Sequence, residues 1–312
     1  MSKTILTLTV NPAVDRIVTV DRLVFEDRAY ILSTIETAGG RGINAARVLT
    51  TFGANVIAIT PSGGEGGRKF EEQLRLDSFG KEIVKIRKNI RTNLTISDRQ
   101  GLSIKLNERG DALSQPELNR ILKAVEKLLP ESSWLMLCGS LPPGVDSHFF
   151  AKLIKLAAKH KVETLLDTDG DALLYGVEAE PTIVKPNQSE AERLLNRALI
   201  TRSNSIEAVR HIKAMGAKHA VLSLGSRGVV AASEEEVLEV VPPRVEALSP
   251  IGAGDAAAAA IVWASDRGDS FREALRWGVS AGTASSMLPG TSLASLEQIQ
   301  AIYPQTQVNQ VP

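Results

Sequence analysis

Residues 134–138, Trp-Leu-Met-Leu-Cys, form a near-continuous apolar run. A strand reads this way when both its faces are buried, as in a parallel sheet covered by helices. The run is one of a series. Strand-like segments at 4–10, 55–60, 82–86, 134–138, 162–167, 182–185 and 220–224 alternate with helical patterns. Those helices open at the glycines of 38–44 and 63–67, at the capping box Ser114-Gln115-Pro116-Glu117, and at 147, 187 and 205. Repeated strand–helix alternation dictates a mainly parallel sheet with helices on both faces. At 312 residues there is room for one large α/β domain with an appendage, or for two domains.

Four segments break the alternation. Residues 16–20, 30–36, 91–97 and 103–107 have β character with no helix between partners. They predict a small separate sheet, a lid built from segments 12–37 and 89–108. After residue 224 the pattern gives β segments at 228–232 and 237–241, helices at 255–266, 270–286 and 295–301, and a polar tail.

In open α/β sheets ligands sit beyond the carboxyl ends of the strands. Ser140, Asp167, Lys185, Ser223 to Gly225 and Gly252 to Asp255 all follow predicted strands. The last stretch, Gly252-Ala253-Gly254-Asp255, leads into the alanine-rich run 256–260. Glycines let a ligand reach bare backbone, and the first N–H groups of a helix form an anion site. A carboxylate there would repel a phosphate, unless it takes a proton from the group attacking that phosphate. In isolation the stretch reads equally as a helix cap.

Composition narrows the classes. Lys plus Arg and Asp plus Glu each number 36, which argues against nucleic acid as the main partner. The single cysteine, Cys138, lies in an apolar run and reads as buried and inert. Four scattered histidines and no H-E-x-x-H argue against a zinc site. G-x-x-x-x-G-K-[ST] and G-x-S-x-G are both absent. Gly40 to Ala45 formally matches the dinucleotide fingerprint, but the following strand ends in Thr60-Pro61 without the acid that would bind ribose. With no signal-peptide pattern and no apolar run long enough to span a bilayer, a soluble cytoplasmic protein is expected.

Taken together, the motifs resemble the PfkB branch of the ribokinase-like sugar kinases, from Asn11 to about Thr291. Gly39-Gly40-Arg41-Gly42-Ile43-Asn44 is similar to the sugar-binding signature and Gly252 to Asp255 to the signature carrying the catalytic base. Lys185-Pro186-Asn187-Gln188-Ser189-Glu190 resembles the N-x-x-E element, and Ser223 to Gly228 the nucleotide loop. Asn11 to Asp15, Arg91-Thr92-Asn93 and Gly139 to Gly144 are similar to the kinases of phosphorylated ketohexoses. The resemblance implies a three-layer αβα sandwich with a β-sheet lid, ATP and Mg²⁺ as cosubstrate and cofactor, and a homodimer through the lid.

It also implies roles. Asp255 would be the base, with Gly252, Ala253 and Gly254 building the anion hole. Asp15, Asn44, Asn93, Ser140 and the Gly39-Gly40 backbone would meet the sugar. Arg41 and Arg91 would hold the phosphate the sugar already carries, since guanidinium binds phosphate bidentately; Arg28 is a third candidate. Lys185, Asn187, Ser223, Gly225 and Gly228 would meet the nucleotide. Glu190 would organise Mg²⁺ through water, with Asp167 behind it. Two places depart from the pattern. Pro250 stands where many members have Thr, so the resemblance carries no monovalent-cation site there. Residues 288–292 keep Gly290-Thr291 but lack the polar residue and Arg of the 6-phosphofructokinase relative, leaving the adenine contacts open. A kinase of a free sugar or nucleoside, a catalytically silent sensor, and a nicotinamide oxidoreductase are the competing readings; the missing ribose acid weighs against the last.

Overall fold

The structure, a computed structural model, describes residues 3–24 and 26–311. Its strands are β1 (Thr4–Thr9), β2 (Ala13–Val20), β3 (Ile31–Gly39), β4 (Val56–Ser62), β5 (Gly80–Lys85), β6 (Arg91–Asp98) and β7 (Ser103–Asn107), then β8 (Ser132–Cys138), β9 (Glu163–Asp167), β10 (Ile183–Val184), β11 (His219–Ser223), β12 (Val229–Ala232), β13 (Val237–Val241) and β14 (Gln307–Val311). The helices are α1 (Arg41–Thr51), α2 (Gly64–Leu74), α3 (Gln115–Leu128), α4 (Phe149–Lys159) and α5 (Gly170–Val177), then α6 (Gln188–Leu195), α7 (Arg202–Ala214), α8 (Ala253–Asp266), α9 (Phe271–Ser286) and α10 (Leu296–Ile302).

Ten strands form the large sheet, in the order β14-β13-β12-β11-β10-β9-β8-β1-β4-β5. From β11 to β5 every pairing is parallel; β12, β13 and β14 continue it antiparallel. Side chains alternate across the sheet with period two. Ile5, Trp134, Met136, Leu165 and Val221 pack toward α1, α8 and α9. Leu6, Leu135, Leu137, Leu166 and Leu222 pack toward α3, α4 and α7. The run 134–138 is therefore buried on both faces, as its composition requires. The remaining strands make a four-stranded sheet, β3-β2-β6-β7, with β2 parallel to β6 and the other pairs antiparallel.

Two elements differ from the pattern read in the sequence. The tail is β14, whose Val308 and Val311 face Val240 and Val237 of β13. Two apolar residues in five do not announce a strand; the exposed edge of β13 supplies the pairing. Helix α5 went unread because it is only eight residues long and begins and ends near glycine. Its buried Ala172, Leu173, Gly176 and Val177 do have helical spacing. Helix α2, which the glycines of 63–67 open, stops at Leu74, and Phe79 turns into the core just before β5. Among the described residues, no helix is long and apolar enough to cross a membrane.

Candidate active site

The site lies at the carboxyl ends of the parallel strands, where α8 begins. Gly252 has φ +78, a left-handed conformation that turns the chain into the helix at little steric cost. The first bond closing α8 runs from Ala256 N–H to the Gly252 carbonyl at 2.8 Å, so the N–H groups of Ala253, Gly254 and Asp255 precede it. Gly282 on α9 lets the helices approach closely; a Cβ there would lie 3.0 Å from the Ala253 carbonyl oxygen.

Asp255 sits deep in the molecule, its carboxylate partly open to the cleft. Asn44 Nδ2, four residues into α1, donates to Asp255 Oδ2 at 2.8 Å. Lost hydration and the nearby Asp167 charge push Asp255 up to about 6, against the opposing pull of Asn44, Arg41 and Lys185. A carboxylate so tuned is ionised at neutral pH and still basic enough to accept a proton.

The glycines before α1 are explained by what rests on them. A Cβ at Gly39 would collide with the Asp15 carboxylate, and one at Gly42 would lie 2.5 Å from Thr9 Oγ1. Asp15 on β2 and Asn93 on β6 are register partners, and Asn93 Nδ2 donates to Asp15 Oδ1 at 2.8 Å. Among the described residues, Asn93 Oδ1 is buried with no partner, and so is Nε of Arg91. Arg91 spends Nη1 on the Glu108 carbonyl at 2.9 Å. Burial lowers its pKa against the charges of Asp15 and Asp169. One unused acceptor and one unused cationic donor thus lie beside Asp15. Asn11 Nδ2 donates to the Arg109 carbonyl at 3.1 Å and, more weakly, to Ser140 Oγ at 3.4 Å, which sets Ser140 in the same region.

Arg41, within electrostatic reach of Arg91, belongs to an ion cluster. Lys185 Nζ and Arg41 Nη1 bind the two oxygens of buried Asp167, at 3.0 and 2.8 Å. Arg41 Nη2 also reaches Glu190 Oε1 at 3.0 Å. Burial opposes every charge here, but the partners prevail: Asp167 is pushed down, and Lys185 and Arg41 up. Glu190 Oε2 meanwhile accepts from Asn187 N–H at 2.8 Å, while Asn187 Oδ1 accepts from Glu190 N–H at 2.9 Å, a reciprocal capping box that starts α6. Lys185 Nζ lies 3.8 Å from where a Cβ of Gly254 would be, beside the α8 N-terminus.

Ser223 follows the same strand-end rule, bridging to Asn187. Gly225 has φ +60 and open space beside it. Gly228 has φ +85, and a Cβ there would collide with the Val240 carbonyl. Gly40, φ +132, is the last residue before α1. The structure thus gathers Gly39, Arg91 and Asn93 about Asp15, and Lys185 and Arg41 about Asp167. Arg41, read in the sequence as a sugar-phosphate ligand, is engaged by Asp167 and Glu190, and its Cγ lies 4.0 Å from the Cβ position of Gly139, next to Ser140. Arg28 lies on the exposed β2–β3 connection. Two residues with no motif of their own also enter the site region: Arg47, one turn after Asn44, and Asp77, which holds it. The i, i+3 spacing of Asn44 and Arg47 was the available signal.

The sequence profile of the pfkB family carbohydrate kinases matches residues 9–299. The chain belongs to the pfkB family of carbohydrate kinases. It is 32% identical to the ATP-dependent 6-phosphofructokinase isozyme 2 of Escherichia coli, over 96% of this chain and 97% of that one. It is 29% identical to a tagatose-6-phosphate kinase of Staphylococcus epidermidis, over 98% and 100%. It is 32% identical to a 1-phosphofructokinase of Rhodobacter capsulatus, over 88% of each. The solved structure of Escherichia coli phosphofructokinase-2 with potassium superposes with a TM-score of 0.91 at 31% identity, covering 97% and 98% of the two chains. An Arabidopsis thaliana ribokinase at 18% identity, TM-score 0.78, shares the fold, which is therefore ribokinase-like.

The raised pKa of Asp255 makes a stability prediction. The folded state holds this proton more tightly than the unfolded chain, so its contribution is present below about pH 4 and is lost as pH rises through about 6. Asp255→Asn should therefore melt above wild type at neutral pH, by no more than about 3 kcal/mol. Thermal melts across that range should show the gap close on acidification; a gap independent of pH would contradict the assignment.

Proposed function

We propose that this protein is an ATP-dependent kinase that phosphorylates a ketohexose phosphate to the bisphosphate. The observation that carries the reading is the pair of unused buried groups, Arg91 Nε and Asn93 Oδ1, beside the Asp15 carboxylate. Buried polar atoms without partners are rare in folded chains. An acceptor, a donor and a carboxylate suit sugar hydroxyls, and the guanidinium suits a phosphate already on the sugar. The three relatives named above are each, by name, kinases of a phosphorylated sugar.

In this mechanism Asp255 takes the proton of a primary hydroxyl. The oxygen attacks the γ-phosphorus of ATP in line, the bond to the β-phosphate oxygen breaks, and ADP leaves. The N–H groups of Ala253, Gly254 and Asp255 receive the charge on the transferring group. Lys185, beside Gly254, meets the nucleotide phosphates in this reading, and the loop from Ser223 through Gly225 to Gly228 borders the nucleotide. Glu190 fits a role beside Mg²⁺ through water: its hard oxygens already accept from Arg41 and Asn187 N–H, and their remaining lone pairs could accept from the hydration shell that ion keeps. The described residues contain no ready-made set of three ligands, so the rest would be water and phosphate oxygens. Bound there, Mg²⁺ would neutralise charge on the β- and γ-phosphates. The small sheet, segments 12–37 and 89–108, serves as a lid that excludes water once the sugar is seated. Phe25 within it lies outside the described residues.

The lid also supports a homodimer. Tyr30, Ile31, Leu32, Ile35, Leu102 and Leu106 lie on the small sheet or its turns and are 45–66% exposed. Proteins cover apolar sheet surface and free strand edges. The Escherichia coli relative has been described in a tetrameric inhibited form.

Kinetics and light scattering test these readings. ADP release should be fastest with one of fructose 1-phosphate, fructose 6-phosphate or tagatose 6-phosphate, and slow with fructose. Asp255→Asn should lower the rate by about 10²–10⁴-fold with ATP binding retained. Arg91→Ala should raise KM for the sugar phosphate strongly, leave KM for ATP little changed, and erase most of the preference over fructose. Arg41→Ala should act the same way more weakly. Wild-type preference for the free sugar, or an unchanged ratio in Arg91→Ala, contradicts the phosphate clamp. Separately, light scattering should give twice the 33.5 kDa chain mass, and Ile31→Lys with Ile35→Lys should halve it; a wild-type monomer rules out the pairing.

A further inference from the structure

Arg47 belongs to no motif of the reaction, yet its guanidinium makes four bonds at the edge of the site. Nε and Nη2 hold the two oxygens of Asp77 at 2.9 and 3.0 Å, a bidentate pair. Nη1 donates to the Ala38 carbonyl at 2.8 Å and to Asn44 Oδ1 at 3.3 Å. Asn44 is the residue whose Nδ2 donates to Asp255. A continuous path therefore runs Asp77, Arg47, Asn44, Asp255, from the turn after α2 through one face of α1 to the start of α8.

We propose that Arg47, held by Asp77, is a positioning residue for the catalytic carboxylate: it fixes the sense of the Asn44 amide so that Nδ2, not Oδ1, faces Asp255. The physical argument is the cost of the flipped amide. Reversing it would set Nδ2–H against the Arg47 N–H donors and Oδ1 against the Asp255 oxygen, two repulsive contacts in place of two hydrogen bonds. Arg47 is anchored on both oxygens of Asp77 and cannot turn away to relieve the first. Without that anchor the amide can present Oδ1, which accepts a hydrogen bond from the O–H of neutral Asp255 and so favours the form that cannot act as a base. The other charged groups facing Asp255 are Asp167, Arg41 and Lys185, and none touches the Asn44 amide among the bonds of the described residues. The same guanidinium grips the Ala38 carbonyl, the residue before Gly39, so it also ties the end of β3 to the helix that carries Asn44. This inference rests on Asp255 acting as the general base.

The test measures the single-turnover phosphoryl transfer rate from about pH 5 to about pH 9. Wild type, Arg47→Met, Arg47→Lys, Asp77→Ala and Asp255→Asn are compared, each normalised to folded protein. In Arg47→Met the acid limb should move up by about one pH unit, so the rate below the limb falls about tenfold. KM for ATP should stay within about twofold, and the rate should recover in alkali. Arg47→Lys keeps a donor to Asn44 and should fall between. Asp77→Ala carries the decisive sign. Removing a negative charge would by Coulomb's law alone ease ionisation of Asp255 and move the limb down; the proposal requires it to move up. A limb that stays in place or moves down in Asp77→Ala overturns the proposal, as does a loss in Arg47→Met that is uniform with pH. If Arg47→Met does not fold, Asp77→Ala and Arg47→Lys decide alone. Failure of the underlying reading looks different: Asp255→Asn would then retain transfer whatever the Arg47 variants do.

Discussion

A 2.8 Å hydrogen bond between Asn44 and Asp255 joins residues 211 positions apart. The rest of the site depends on it. Asp255, the base in the proposed mechanism, is largely withdrawn from water, and a carboxylate moved out of water is costly unless something compensates. Asn44 supplies one bond. The positive end of α8 and the flanking cations Arg41 and Lys185 supply field. Asp167 pushes the other way. The result is a carboxyl held near 6, between full protonation and inertness. Neither α1 nor α8 alone could produce this, so the arrangement exists only when the two helices pack together.

The large sheet makes that packing possible. Parallel strands β1, β8, β9, β10 and β11 deliver their carboxyl ends to one side, where Asp167 and Ser223 end their strands and Ser140 and Lys185 follow theirs. Helices α8 and α9 close over one face because Gly278 and Gly282 remove the side chains that would hold them apart. Asp167 and Lys185 form a buried ion pair at these strand ends. Removing one partner of such a pair leaves an uncompensated buried charge, which is typically more costly than losing the pair's attraction.

Much of the fold was legible in the sequence, for physical reasons. Strands buried on both faces have to be apolar throughout, so 134–138 identified itself. Glycine turns at strand ends, as at Gly39-Gly40 and Gly252, advertise backbone that a side chain would block. What stayed hidden was pairing across distance. Nothing local marks Asp77 as the partner of Arg47, 30 residues earlier, or Asp167 as the partner of Arg41, 126 residues earlier. The sequence therefore suggested a free cation where the structure has an engaged one. Strand β14 was hidden similarly, since its pairing belongs to the edge of β13 and not to its own residues.

The central claim is that one cleft receives a sugar that already bears a phosphate and adds a second. The most direct measurement is ³¹P NMR of a reaction containing Mg-ATP and a ketohexose monophosphate. The account predicts that the γ-phosphate signal of ATP decays as a second phosphomonoester signal grows on the sugar, in step with ADP. Growth of inorganic phosphate alone, or a new ester only when free fructose replaces the monophosphate, would contradict it.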